Sequence, residues 1–556
     1  MLKTKLISSL TKVYTDTDID TLRSYNRISA LKGERISFQL VTQYVKESGD
    51  GKFTERKLYT PRITGALADY VTLREVKNVG VEMPTLPDLA DEDYERLTPG
   101  LYPDLLCPLG HGGRVNARVL FPSSVWIEID IPSDLRISGE SDITVELIGE
   151  GGSTEGKESI SVEIIDAVLP EQTLIYTQWF HSDCLASYYD VDVWSEKHWK
   201  IVENFARVAA RNGINMLLTP VFTPPLDTKI GGERPTTQLV GVTIEGGKYS
   251  FDFTLLERWV DMCDRVGIKY FEISHLFTQW GAKHAPKIMA TVDGEYKRIF
   301  GWDTDAQADG YVSFLREFLT EFIAYMKKRG DDSRCFFHIS DEPVKEQIES
   351  YCKAKSSVSD LLDGYVTMDA LSDYRFYEQG IVTTPISNVN SIAGFIGKDI
   401  QSLWAYYCCG ECARVSNRFI AMPSSRNRSI GMQMYKHGIV GFLQWGFNFY
   451  YNQQSEDLIE PYTDITGGSW VPAGDSASVY PGHGGVALES LRLSVFHDAL
   501  QDMRAMQLCE SLYSKKEVVA EIERMFGKEL TFYTCIGADT MLAIRERINE
   551  MIKAKA

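Results

Sequence analysis

One junction recurs along this chain and limits what it can fold into. A helical stretch ending at Asn212 runs into Gly213-Ile214 and the apolar Met216-Leu217-Leu218. Another, ending near Val266, runs into Gly267-Ile268 and the run from Tyr270 to Ile273. A third, ending near His437, runs into Gly438-Ile439 and the run from Val440 to Trp445. Glycine takes the left-handed position after the last helical turn, and a short unbroken apolar run after it is a strand buried on both faces. Such strands are parallel and need crossover connections, usually helical. Counting them gives about eight, near 174–179, 214–219, 269–274, 335–339, 364–369, 382–387, 402–407 and 439–445. Repeated βα units of that number predict an α/β chain with a (β/α)8 TIM-type barrel. A doubly wound sheet is the competitor, weakened because no Gly-rich phosphate loop follows the first strand. The helices are amphipathic: Tyr311, Phe314, Leu315, Phe318, Leu319, Phe322, Tyr325 and Met326 share one face, with Arg316, Glu317, Glu321 and Lys328 opposite.

The first ~165 residues follow a different period. Apolar residues alternate with polar ones at Ile36, Phe38 and Leu40, at Val125 to Ile131, at Ile143 to Leu147 and at Ile160 to Ile164. That is the pattern of half-buried strands, and it predicts an antiparallel β-sandwich ahead of the barrel. The tail from Leu488 reads as helix, closing the barrel and continuing into a helical extension. The expected domains are residues 1–168 (sandwich), 169–510 (barrel) and 511–556 (C-terminal helices).

Composition removes several classes of function. Lys and Arg number 58 against 77 Asp and Glu, a formal charge of −19, with no basic run to neutralise a phosphate backbone, so no nucleic-acid partner is expected. At 44% hydrophobic and 11% aromatic the chain is not disordered. No segment approaches the ~20 apolar residues of a membrane span, and the N-terminus lacks the pattern of an export signal, which predicts a cytoplasmic protein. Ten cysteines are too sparse for a disulfide scaffold, and Cys408, Cys409 and Cys412 form one CxxC without a second pair. Neither a metal nor another cofactor is expected.

In a barrel of this type the active site lies at the C-terminal ends of the strands. Those ends read Trp179-Phe180-His181-Ser182-Asp183, His275 to Gly281, His338-Ile339-Ser340-Asp341-Glu342-Pro343, Trp404 to Tyr407 and Gln444 to Phe449. Rings and uncharged hydrogen-bonding groups dominate, which suits a carbohydrate partner. The adjacent acids Asp341 and Glu342 are the candidate catalytic pair, because two carboxyls side by side push one pKa up and leave an acid beside a carboxylate. His275, Trp280, Trp404, Tyr406, Tyr407, Trp445 and Asn448 are the candidate substrate contacts. His338 reads as a barrel-interior hydrogen-bonding group. The long stretch 462–485 is a possible lid, with Trp470, Asp475 and Tyr480 within it. An ordinary glycosidase sets a second carboxylate across the scissile bond, and here only Asp183 and Asp369 stand as candidates. Their weakness suggests that a substrate 2-acetamido group is itself the nucleophile.

The segments HLFTQWG, HISDEP, LWAYYCC, GIVGFLQWGFNFYY, GDSASVYPG and SLRLSVFHDALQDMRAM, in that order, resemble the catalytic domain of glycoside hydrolase family 123; GERISFQLV, LYPDLLCPL and SVWIEIDIP look like the β-sandwich that precedes it. The resemblance implies a retaining β-N-acetylgalactosaminidase working by substrate assistance, with Asp341 holding the acetamido group and Glu342 as general acid/base. A conventional carboxylate nucleophile acting on a non-acetamido sugar, and a non-catalytic glycan-binding protein, remain the alternatives.

Overall fold

Each of the three Gly-Ile junctions ends a helix with glycine in the left-handed region: φ is 86° at Gly213, 91° at Gly267 and 69° at Gly438. At Gly213 packing adds a second demand, since a Cβ there would lie 2.5 Å from a methyl of Leu500. The computed structural model describes residues 1–46, 52, 55–279 and 281–556.

After these and the other connections run eight strands: β1 (Ile175–Gln178), β2 (Met216–Thr219), β3 (Tyr270–Ile273), β4 (Cys335–Phe337), β5 (Val366–Leu371), β6 (Thr384–Asn388), β7 (Trp404–Tyr406) and β8 (Gly441–Gln444). They pair in sequence order, all parallel, and β8 closes on β1. Met216, Leu218, Phe336, Met368, Ile386 and Trp404 fill the barrel interior. The crossovers are less regular than an eightfold repeat. Full helices, Glu196–Arg211, Thr254–Val266, Asp309–Arg329 and Ser424–His437, stand between barrel strands along the chain. Between β5 and β6 the described helix is the four-residue Arg375–Glu378, and between β6 and β7 a single 3-10 turn, Ile392–Gly394. These segments are short and interrupted by Gly380, Gly394 and Gly397, which leaves no room for a longer amphipathic face. Two hairpins in the loops after β2 and β3 join as one four-stranded sheet at the rim, which the helical pattern had not announced.

The first 168 residues form two five-stranded sheets. Phe38, Leu40, Val125 and Ile127 from one meet Val145, Leu147, Ile160 and Val162 from the other in one core. The expected antiparallel pattern fails at one pair: Thr154–Val168 runs parallel to Arg27–Lys32. Alternation reports which face is buried, not strand direction, so this was not readable. The C-terminal helix Ala538–Lys553 returns to this region, with Arg545 paired to Glu34 at 2.8 Å and Asn549 donating to Ser29 at 2.8 Å. No helix among the described residues is long and apolar enough to cross a membrane.

Candidate active site

Beyond β4 the chain kinks at Glu342, whose φ of 42° is left-handed. A residue bearing a Cβ holds that conformation only at a cost of ~1–3 kcal/mol, supplied by its surroundings. Asp341 and Glu342 both line a cavity of about 130 Å3 at the C-terminal mouth of the barrel. Asp341 is buried, and burial first, then the neighbouring charge of Glu342, raises its carboxyl well above the usual range. Its Oδ2 accepts from Gln279 Nε2 at 2.7 Å, whereas Oδ1 is buried with no partner among the described residues. Glu342 is half-buried, and its Oε1 accepts from the Tyr406 hydroxyl at 2.8 Å. The Gln279 amide cannot turn, because its oxygen accepts from the Asp227 N–H at 2.6 Å.

The walls are aromatic. Trp179, Trp445, Trp470 and Phe449 face the cavity, with Tyr406, Cys408 and Cys409 alongside. Two of these rings are anchored by a carboxylate behind them. Trp179 Nε1 donates to Glu272 at 2.7 Å, and Glu272 also holds His338 Nε2 at 2.7 Å. Asp369 takes the other nitrogen of His338 at 3.1 Å and accepts from Tyr351. Burial opposes charge on His338, but these two carboxylates raise it to about 10, so an imidazolium lies below the cleft. Trp445 Nε1 donates to Asp475 at 2.9 Å; burial pushes Asp475 up to about 7. Glu411 accepts from the Cys408 N–H at 2.7 Å and from Asn388 at 2.6 Å, fixing the turn that carries the two cysteines.

A second buried assembly sets the β1 side. Arg234 holds Asp183 bidentately at 2.7 and 2.8 Å and donates to His181 Nδ1 at 3.1 Å. His181 therefore carries its proton on Nε2 and donates it to the Trp445 carbonyl at 2.9 Å. Burial and Arg234 together lower it to about 3, so it is neutral.

Among the residues expected from sequence, Asp341, Glu342, Tyr406 and Trp445 come together in this cavity. Four others are placed elsewhere. Trp404 lies one turn of the strand pleat below Tyr406, in the barrel interior, where its ring fills the space a side chain on Gly441 would occupy. Tyr407 points out of the barrel against Phe442 and Phe496 and donates to Asn427. His275 is fully buried, stacked on His338 at 4.3 Å, with both nitrogens unpartnered among the described residues. Asn448 spends its amide on the backbone of His181, accepting from its N–H at 2.9 Å and donating to its carbonyl at 3.0 Å. Trp280 lies outside the described residues. In the long loop, Trp470 lines the cavity, Asp475 sits beneath Trp445, and Tyr480 is buried against Asp104.

Asp227 and Arg234 went unseen in the sequence. Asp227 stands eight residues beyond the end of β2, past Pro224-Pro225, too far along to count as a strand end. The double proline, which stiffens that loop, was the available signal. Among the described residues no group of three His, Cys, Asp or Glu is placed to hold a metal ion.

A parallel barrel with an acid pair at its C-terminal mouth, walled by indoles, defines an enzyme acting on carbohydrate. The sequence profile of the glycoside hydrolase 123 catalytic domain matches residues 179–509, and the chain belongs to glycoside hydrolase family 123. Its fold is that of a family 123 glycoside hydrolase from Clostridium perfringens studied for glycolipid glycan hydrolysis: TM-score 0.72 over 100% of this chain and 98% of that one, at 15% identity. An endo-β-1,4-mannanase from Thermotoga petrophila overlaps loosely, at TM-score 0.35 and 11% identity over 60% of this chain and 77% of that one. No curated protein matches the chain significantly.

Proposed function

We propose that this enzyme removes β-linked N-acetylgalactosamine, or a related 2-acetamido sugar, with retention and by substrate assistance. The observation that carries the reading is the divided environment of Asp341: one carboxyl oxygen held by Gln279, the other buried and without a partner. A buried acceptor left unmade is costly, and an acetamido N–H is the donor that would satisfy it. In the first step Glu342 gives its proton to the glycosidic oxygen while the acetamido carbonyl oxygen attacks the anomeric carbon. The bond to the leaving group breaks, an oxazoline forms, and Asp341 accepts from the N–H whose acidity rises. Water then attacks the same carbon, Glu342 takes its proton, and the ring C–O bond of the oxazoline breaks to give the β-configured sugar.

The conventional alternative needs a free carboxylate, and both of its sequence candidates are occupied. Asp183 is bound bidentately by Arg234, and Asp369 by His338 and Tyr351. The galactosamine configuration rests on the family resemblance and on the glycolipid glycans cleaved by the Clostridium relative. The division of labour into residues 1–168, 169–510 and 511–556, with the first and last supporting the barrel, belongs to the same proposal.

The test is release of chromophore from aryl β-glycosides of GalNAc, GlcNAc and galactose by wild type and Glu342→Gln, with the product anomer read by NMR. Turnover of acetamido sugars alone, giving β product first and falling about 10²–10⁴-fold in the variant, is expected. Turnover of the galactoside would sink the acetamido mechanism.

A further inference from the structure

A third carboxyl group faces the cleft and has no part in the mechanism above. Asp227 lines the same cavity as Asp341 and Glu342. Its backbone is held on both sides: its N–H donates to Gln279 at 2.6 Å and its carbonyl accepts from Ser455 Oγ at 2.7 Å. Its Oδ2 accepts from the Gln454 N–H at 3.1 Å, while Oδ1 has no protein partner among the described residues. Like Glu342 it is held in the left-handed region, with φ of 41°. The Gln279 amide joins it to Asp341, with its acceptor end on the Asp227 backbone N–H and its donor end on the Asp341 carboxyl, so the backbone that carries Asp227 keeps a fixed relation to Asp341.

Among the described residues no cation pairs directly with these acids, although the His338 imidazolium acts on Asp341 and Arg234 on Asp227 from further off. Arg234, the guanidinium nearest this wall, is buried and committed to Asp183, His181 and the Leu226 carbonyl. Lys229 is exposed and paired with Glu456. His181 is uncharged, because Nδ1 accepts from Arg234.

We propose that Asp227 is the specificity-determining carboxylate of the cleft, accepting hydrogen bonds from hydroxyls of the terminal sugar and restricting the site to sugars without sulfate, phosphate or carboxylate. The proposal rests on the carbohydrate reading given above and names its substrate class: an uncharged terminal residue. A carboxylate is the strongest acceptor a protein can offer a hydroxyl. For an anionic substituent about 6 Å from it, at an effective dielectric near 20, repulsion alone amounts to roughly a hundredfold in binding. Burial lifts Asp227 to about 6 against the pull of Arg234 and the Gln454 N–H, so the charge is present at neutral pH.

Asp227→Asn is the variant to make, since asparagine tolerates left-handed φ and keeps the shape. The substrates are the aryl β-glycoside of N-acetylgalactosamine and its 4- and 6-sulfates. Wild-type turnover of the uncharged glycoside judges the earlier reading by itself. If none of these glycosides is cleaved, that reading fails, and quenching of cleft tryptophan fluorescence by the free sugar and its sulfates supplies the same comparison from binding alone. The expected result is a preference for the uncharged sugar of about a hundredfold. In the variant that preference falls at least tenfold, and the uncharged sugar itself weakens by about 10–100-fold, through KM rather than kcat. An unchanged preference would overturn the proposal. So would a loss beyond about 10³-fold in kcat at constant KM, which would make Asp227 a reacting carboxylate.

Discussion

Two groups of acids in this molecule are treated in opposite ways. At the joint between the N-terminal sheets and the barrel the buried carboxylates Glu128, Glu489 and Asp104 are each matched by arginine. Glu128 meets Arg74 at 2.6 Å and also pairs with Arg211; Glu489 meets Arg74 and Arg211 at 2.9 Å each. Asp104 accepts from Arg492 through both oxygens at 2.9 Å and from Tyr480 at 2.6 Å. Burial works to raise Glu489, yet Arg74, Arg211 and Arg35 hold it at about 2. In the cleft, Asp341 and Asp227 are left short of partners and both are raised. The joint uses charge to fix one domain arrangement. The cleft keeps unsatisfied carboxyl groups for a ligand to complete, and is less stable for doing so.

The contrast has consequences of decreasing size. Glu342→Gln, the variant that tests the mechanism, should lose about 10²–10⁴ in kcat/KM while its melting temperature stays within ~2 °C of wild type. A large drop in melting temperature would mean that the cleft acids are structural after all. Arg492→Met should do the reverse at the joint, leaving Asp104 buried without its cation. A loss of about 3–5 kcal/mol in urea unfolding is expected, and a loss under 1 would show the joint pairs to be dispensable.

The pH dependence of stability should separate the two groups by sign. Glu489, lowered in the folded state, contributes stability that is complete above its unfolded pKa near 4.5 and is lost as pH falls toward 2. Asp341, raised in the folded state, does the opposite: the unfolded chain releases its proton first, so stability declines as pH rises above about 4. Glu489→Gln should flatten the acid limb, and Asp341→Asn the decline toward neutrality, each followed by melting temperature across pH 3–8. Equal effects of both variants on both limbs would erase the distinction. Lys353→Ala, which removes an exposed pair with Glu349, serves as the floor: no change beyond about 1 °C is expected.

How far the sequence was readable follows the same division. The glycine junctions and the acid pair after β4 are local signals, and they gave the strand count and the cavity's central residues. Tyr406 and Tyr407 could not be told apart, because a strand buried on both faces is apolar at every position and its alternation is silent. Tyr406 points inward to Glu342 and Tyr407 outward to Phe442. Trp404 shares Tyr406's face but lies lower, and depth along a barrel axis is not written in spacing. His275 and Asn448 carry groups that suit a sugar, yet Asn448 is used by a neighbouring backbone and His275 by a buried ring stack.

The sequence by itself determined the period of each region, the helix ends and the pairing of two acids beside a proline, since these depend on a few consecutive residues and their backbone preferences. Tertiary structure alone decided which carboxylates are matched and which are left open. Asp183 lies 51 residues from Arg234 along the chain and Asp104 lies 388 from Arg492. Asp227 is held at the cleft by Gln279, Gln454 and Ser455, which lie on other strands' loops. A carboxylate's availability depends on what long-range folding brings within about 3 Å of it, and no local pattern records that.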